Sequence, residues 1–187
     1  MTTLRRSGLT VVLLFSAIGA VGQRRHDPLT QAEIDQIRDA SWEPVQRLTL
    51  YLQFTRARLV KLEQIRSDPK AKDRPRQTHD LLDDFQQLYD ELNDNIDTYV
   101  DRKDDIRKPM KLIIDADVEF QAKLRALKEA ADVPPQEASM YEFVLSSALE
   151  TLDTAAEDHR KLLADQEDLA KRKKLNASSG AKGGKPE

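Results

Sequence analysis

Residues 85–131 read FQQLYDELNDNIDTYVDRKDDIRKPMKLIIDADVEFQAKLRALKEAA. Phe85, Leu92, Tyr99, Ile106, Ile113, Phe120 and Leu127 stand seven apart. Tyr89, Ile96, Lys103, Met110, Asp117, Leu124 and Ala131 run beside them at the same spacing. Two adjacent lines of period seven form the apolar seam of a packed helix. The register does not slip across Pro109, and Asp104-Asp105-Ile106-Arg107-Lys108 holds no glycine or asparagine of the kind that usually ends a helix. The spacing therefore predicts one long helix, about 76–131, kinked at Pro109. At 1.5 Å per residue it would be roughly 84 Å long. The alternative is a four-helix up-down bundle with a turn near Lys108, because proline inside a helix costs about 3 kcal/mol or more.

Outward from this stretch, proline does the dividing. Pro28, Pro44, Pro69, Pro75, Pro134 and Pro135 separate segments rich in Leu, Ala, Glu, Lys, Arg and Gln. Thr30-Gln31-Ala32-Glu33 is a capping box that opens a first short helix, with Ile34, Ile37 and Trp42 on its apolar edge. Pro44 opens a second helix, in which Val45, Leu48, Leu52, Leu59 and Leu62 recur at alternating three and four spacing with Thr55 in the one polar slot, and Ser67-Asp68-Pro69 closes it. A last helix runs from about Gln136 to Lys174. The whole is an all-α, elongated antiparallel bundle, coiled-coil-like, forming a single helical domain over residues 30–174, with the second helix against the first half of the long helix and the last helix folded back along its second half. Residues 23–29 make a flexible leader, and 175–187 a disordered tail.

All six glycines lie outside residues 23–179. Phosphate-cradling loops and tight hairpins draw on glycine's access to positive φ, so a Rossmann or P-loop nucleotide site and an all-β fold are excluded. Met1–Gly22 has the parts of an export signal. Arg5 and Arg6 precede the uncharged apolar run Leu9–Val21, and Ala20-Val21-Gly22 sets small residues before a cut at Gln23. That run is too short for a membrane span of roughly 20 residues. The expected location is periplasmic or extracellular, with no transmembrane segment once the signal is removed. With no cysteine, stability rests on packing alone. A net charge of −3 does not suit a general nucleic-acid binder.

Parts for chemistry are few. His26, His79 and His159 stand far apart, and none belongs to an E-x-x-H or H-E-x-x-H pattern, so no metal centre is expected. No G-x-S-x-G motif occurs, and no two carboxylates stand out as an acid–base pair. No catalytic, cofactor-binding or metal-binding residue is assigned, no cofactor is expected, and the chain does not read as an enzyme. His159 and Asp117 do fall on seam positions. Folding back at Pro134-Pro135 would set His159 level with Asp105–Pro109, where it would either stand half exposed on the bundle edge or donate to groups freed at the kink. Asp90, Asp94, Asp97, Asp101 and Asp104 or Asp105 make an acidic stripe, expected to be a solvated face, with Arg56, Arg58, Lys61 and Arg66 as the nearest counter-charges. Lys171–Lys174, with Lys182 and Lys185, form a basic tail suited to weak, salt-sensitive contact with an anionic envelope surface.

These features describe an exported, non-enzymatic helical scaffold or protein-interaction module of the bacterial cell envelope, with a protein partner. Leu29-Thr30-Gln31-Ala32-Glu33, followed by Gln36-Ile37-Arg38, is also similar to the L-T-x-x-Q helix opening of the Spy and CpxP-like periplasmic proteins, with Glu33 in place of the glutamine. That resemblance implies the alternative of a periplasmic stress chaperone or adaptor.

Overall fold

A computed structural model describes residues 26–131 and 133–180. The export segment 1–22 and residues 181–187 of the expected tail lie outside the described residues. The described residues form helices and no strand: α1 (Gln31–Asp39), α2 (Pro44–Ser67), α3 (Arg74–Asp101), α4 (Arg107–Lys128), α5 (Pro135–Ala138) and α6 (Glu142–Gly180). None of these helices is long and apolar enough to cross a membrane.

The single long helix is corrected to two. α3 stops at Asp101, and the chain reverses over residues 102–106 before α4 begins. Lys103 takes a left-handed conformation with φ 62°. Its N–H donates to the Val100 carbonyl at 2.9 Å, and the Asp104 N–H reaches back to the Tyr99 carbonyl at 2.9 Å. This is a Schellman ending built on lysine instead of glycine. Pro109 then lies in the first turn of α4, three residues after the N-cap Ile106. An N–H there has no partner within the helix, so proline forfeits nothing. The heptads cross the break because the turn fits between Tyr99 and Ile106. Both residues are buried, yet they belong to helices of opposite direction. Lysine in the left-handed region is costly, so Lys103→Gly raises stability by about 1 kcal/mol, read as a higher urea midpoint with unchanged slope.

The four long helices run up, down, up, down. α2 lies against α3 and α4, and α6 lies against α4 and α3. α3 and α4, although consecutive, stand on a diagonal and meet through side chains across the centre. Phe85 and Phe120 touch edge to face at 5.4 Å, and Tyr89 stacks on Phe85 at 5.9 Å. The expected pairings of α2 with α3 and of α6 with α4 hold. The two hairpins close on each other in the alternative arrangement, a four-helix up-down bundle, with its turn at residues 102–106 instead of near Lys108. All seven residues of the line from Phe85 to Leu127 are buried.

At the N-terminal end the capping box is present. The Glu33 N–H donates to Thr30 Oγ1 at 3.3 Å, and the Thr30 N–H donates to Glu33 Oε2 at 2.7 Å. Arg58 on α2 clamps the same carboxylate at 2.8 and 2.7 Å and donates to the Pro28 carbonyl. Leu29 packs on the core, so the last residues of the expected leader are tied down. Trp42 is 87% exposed and lies off the apolar edge. Desolvation raises the Glu33 carboxyl, but the Arg58 and Thr30 hydrogen bonds outweigh it and hold the group below its ordinary 4.5. A lowered carboxyl contributes stability above the unfolded value and loses it as pH falls through the folded one. Glu33→Gln therefore costs about 1–2 kcal/mol at neutral pH. In thermal melts at a series of pH values, the deficit closes below about pH 4.5.

Candidate functional site

Three helices place four polar side chains at the centre of the bundle. Tyr89 and Asn93 stand one turn apart on α3, Asp117 is on α4 and His159 on α6. Asp117 is fully buried and His159 nearly so. The Tyr89 hydroxyl donates to Asp117 Oδ1 at 2.8 Å, and His159 Nδ1 lies 2.9 Å from Asp117 Oδ2. His159 Nε2 lies 3.0 Å from Asn93 Oδ1. Both ring nitrogens are thus engaged, one on each side of the ring. Burial first, then the Asp117 carboxylate, pushes the Tyr89 phenol far above its ordinary 10, so it remains a donor.

His159 is thus bonded elsewhere than the sequence suggests. α5 and its flanks lengthen the reversal between α4 and α6 and shift the two helices relative to each other. The ring comes level with Asp117 instead of with 105–109. The backbone freed at the turn is met by Gln166, which accepts from the Ile106 N–H and donates to the Asp104 carbonyl, each at 3.3 Å. The seam positions of Asp117 and His159 are legible in the sequence. Tyr89 and Asn93 as their partners are not, because that requires knowing that α3 and α4 face each other.

Chemically the cluster is a closed lock. Each ring nitrogen has a partner, and neither partner is a serine or threonine hydroxyl. Of the hydroxyls on that side of α6, Ser147 accepts from Gln86 at 3.0 Å and Thr154 donates to the Glu150 carbonyl at 3.1 Å. Among the described residues no group of three or more His, Asp or Glu side chains is arranged to hold a metal ion.

Beside the lock, an open groove of about 620 Å³ runs between α3 and α6. Small side chains on α6 (Ser147, Thr151 and Ala155) lower that wall. Ile96, Val100, Ala155 and Leu162 supply an apolar floor, with the edge of His159 among them. Asp97, Glu150 and Asp158 stand exposed along the rim, and among the described residues no lysine or arginine lines the groove. None of these three carboxylates belongs to an ion pair among the described residues. One of them, Asp97, comes from the expected acidic stripe. Asp90, Asp94 and Asp101 are exposed as expected. Asp105 is held down to about 2, chiefly by the Arg107 side chain.

Three of the four counter-charges expected on α2 are engaged elsewhere. Arg56 pairs with Glu119 at 2.9 Å, Arg58 with Glu33 at 2.7 Å, and Arg66 with Glu137 at 3.4 Å. Those contacts brace α2 against α1, α4 and α5, leaving the acidic side of α3 to solvent. The residues that resemble the Spy and CpxP-like opening serve the capping box and the Arg58 clamp. No family model, curated protein or solved structure matches the chain.

Proposed function

We propose that the chain is an exported, non-enzymatic interaction module of the bacterial cell envelope, and that it docks a cationic helical segment of a partner protein in the α3–α6 groove. The observation that carries this is the groove itself: an apolar floor edged by Asp97, Glu150 and Asp158, with no lysine or arginine lining it among the described residues. An amphipathic helix with lysine or arginine beside its apolar face is complementary to such a surface in both shape and charge. The N-terminal pattern of Arg5, Arg6 and the Leu9–Val21 run supports export.

The test is a chemical cross-linking comparison in cells between the wild type and Asp97→Lys/Glu150→Lys/Asp158→Lys. The expected result is a discrete cross-linked partner, lost on charge reversal, with the secreted chain beginning at Gln23. An unchanged cross-link would remove the groove from the function, and a chain retained in the cytoplasm with Met1 intact would remove export.

A further inference from the structure

We propose that the segment the groove receives is the C-terminal end of α6 from a second copy of this chain. This rests on the reading of the groove as a docking site and names its occupant.

α6 is longer than the bundle it belongs to. Gln166 is fixed to the turn between α3 and α4, and α6 continues past it to Gly180. The expected tail thus begins as helix, which runs beyond Lys174. Every residue from Lys171 to Ala177 is exposed. Lys171, Arg172, Lys173 and Lys174 give this overhang four adjacent cations, with the exposed Leu169 two residues before them. Lys171 pairs with Asp168 at 3.1 Å across exposed surface, a contact worth little. Lys173 also attracts Asp105 on its own turn. The overhang cannot reach its own groove. Both lie on one continuous helix, with Ala155 and Lys173 separated by roughly 27 Å along its axis.

α6 thus supplies both a wall of the groove and the charges that complement it. Two copies related by a two-fold axis, with their α6 helices antiparallel, would set each overhang in the other's groove. Such an interface is self-complementary and closed. The cations would meet Asp97, Glu150 and Asp158, and Leu169 would approach the floor made by Ile96 and Val100.

The test uses two surface variants whose fold is checked by circular dichroism. One reverses the groove, Asp97→Lys/Glu150→Lys/Asp158→Lys. The other reverses the overhang, Lys171→Glu/Arg172→Glu/Lys173→Glu/Lys174→Glu. By sedimentation equilibrium the wild type is expected to dimerise, about tenfold more weakly at 500 mM than at 50 mM NaCl, because the pairs are exposed and screened. Each variant alone is expected to be a monomer. Mixed one to one they are expected to form a heterodimer, since each groove then faces an overhang of opposite charge. Should a reversed groove unfold, Asp97→Asn/Glu150→Gln/Asp158→Asn replaces it, and this neutral groove is expected to weaken self-association at least tenfold.

A monomeric wild type, or two folded variants that stay monomeric when mixed, would overturn the proposal. Titration with a lysine-rich helical peptide separates this failure from that of the groove. Peptide binding lost on groove reversal, without dimerisation, leaves the docking site standing with a different partner. Absence of peptide binding as well removes both.

Discussion

His159→Leu lowers the unfolding free energy by about 3–5 kcal/mol, measured by urea denaturation at neutral pH. The cause is Asp117. It is fully buried on α4 and accepts two hydrogen bonds, one from Tyr89 and one from His159. Leucine fills the volume of the ring but removes one of the two donors, leaving a buried carboxylate with Tyr89 alone. Burying a charge without compensation is among the costliest single changes a core can undergo. Adding Asp117→Asn to His159→Leu recovers roughly half of the loss, because the charge is gone while Tyr89 keeps an acceptor. If His159→Leu alone stays within about 1 kcal/mol of the wild type, the carboxylate does not depend on the ring and the account of the lock is wrong.

Phe120→Ala costs a similar amount, about 3–5 kcal/mol, for a different reason. Phe120 is fully buried and meets Phe85 edge to face at 5.4 Å and Tyr89 at 6.5 Å. On its outer side the Arg56 guanidinium lies 5.7 Å from the ring centroid. α3 and α4 are diagonal, so their backbones are held apart by these rings. Alanine leaves a void that neighbouring helices cannot close without shifting the whole diagonal. The thermal midpoint falls by roughly 10 °C. A drop of only a degree or two would mean that the centre collapses easily and that the diagonal is not rigid. The two effects are distinguishable by chemistry: a second substitution that removes charge rescues the histidine variant and does nothing for Phe120→Ala.

The periodicity from Phe85 to Leu127 was enough to assign the helical class, the buried face and the pairing of α2 with α3 and of α4 with α6. It could not report direction. A period of seven continues through a tight reversal whenever the turn consumes a matching number of residues, as residues 102–106 do between Tyr99 and Ile106. The usual marker of such an ending is glycine at the left-handed position, and Lys103 occupies it here. Pro109 is equally at home in a kink and in the first turn of a helix, so the residue alone could not separate the two. The polar lock was half legible. Asp117 and His159 were recognisable as polar intruders on apolar lines, but Tyr89 sits on the apolar line itself and its hydroxyl gives no pattern. The groove had no sequence signal, because it arises where small residues on α6 happen to face α3.

The turn at Lys103 has a topological consequence. If it straightened, both apolar lines would continue along one uninterrupted rod, and two chains could exchange their α4–α6 hairpins with every buried position still matched. Pro109 stands against that exchange. In the open rod it would fall in a helix interior, with no N–H for the Asp105 carbonyl and its ring against the preceding turn, at about 3 kcal/mol or more. At the start of α4 it costs nothing. The proline therefore penalises the open form alone and keeps each chain's hairpins closed on its own core.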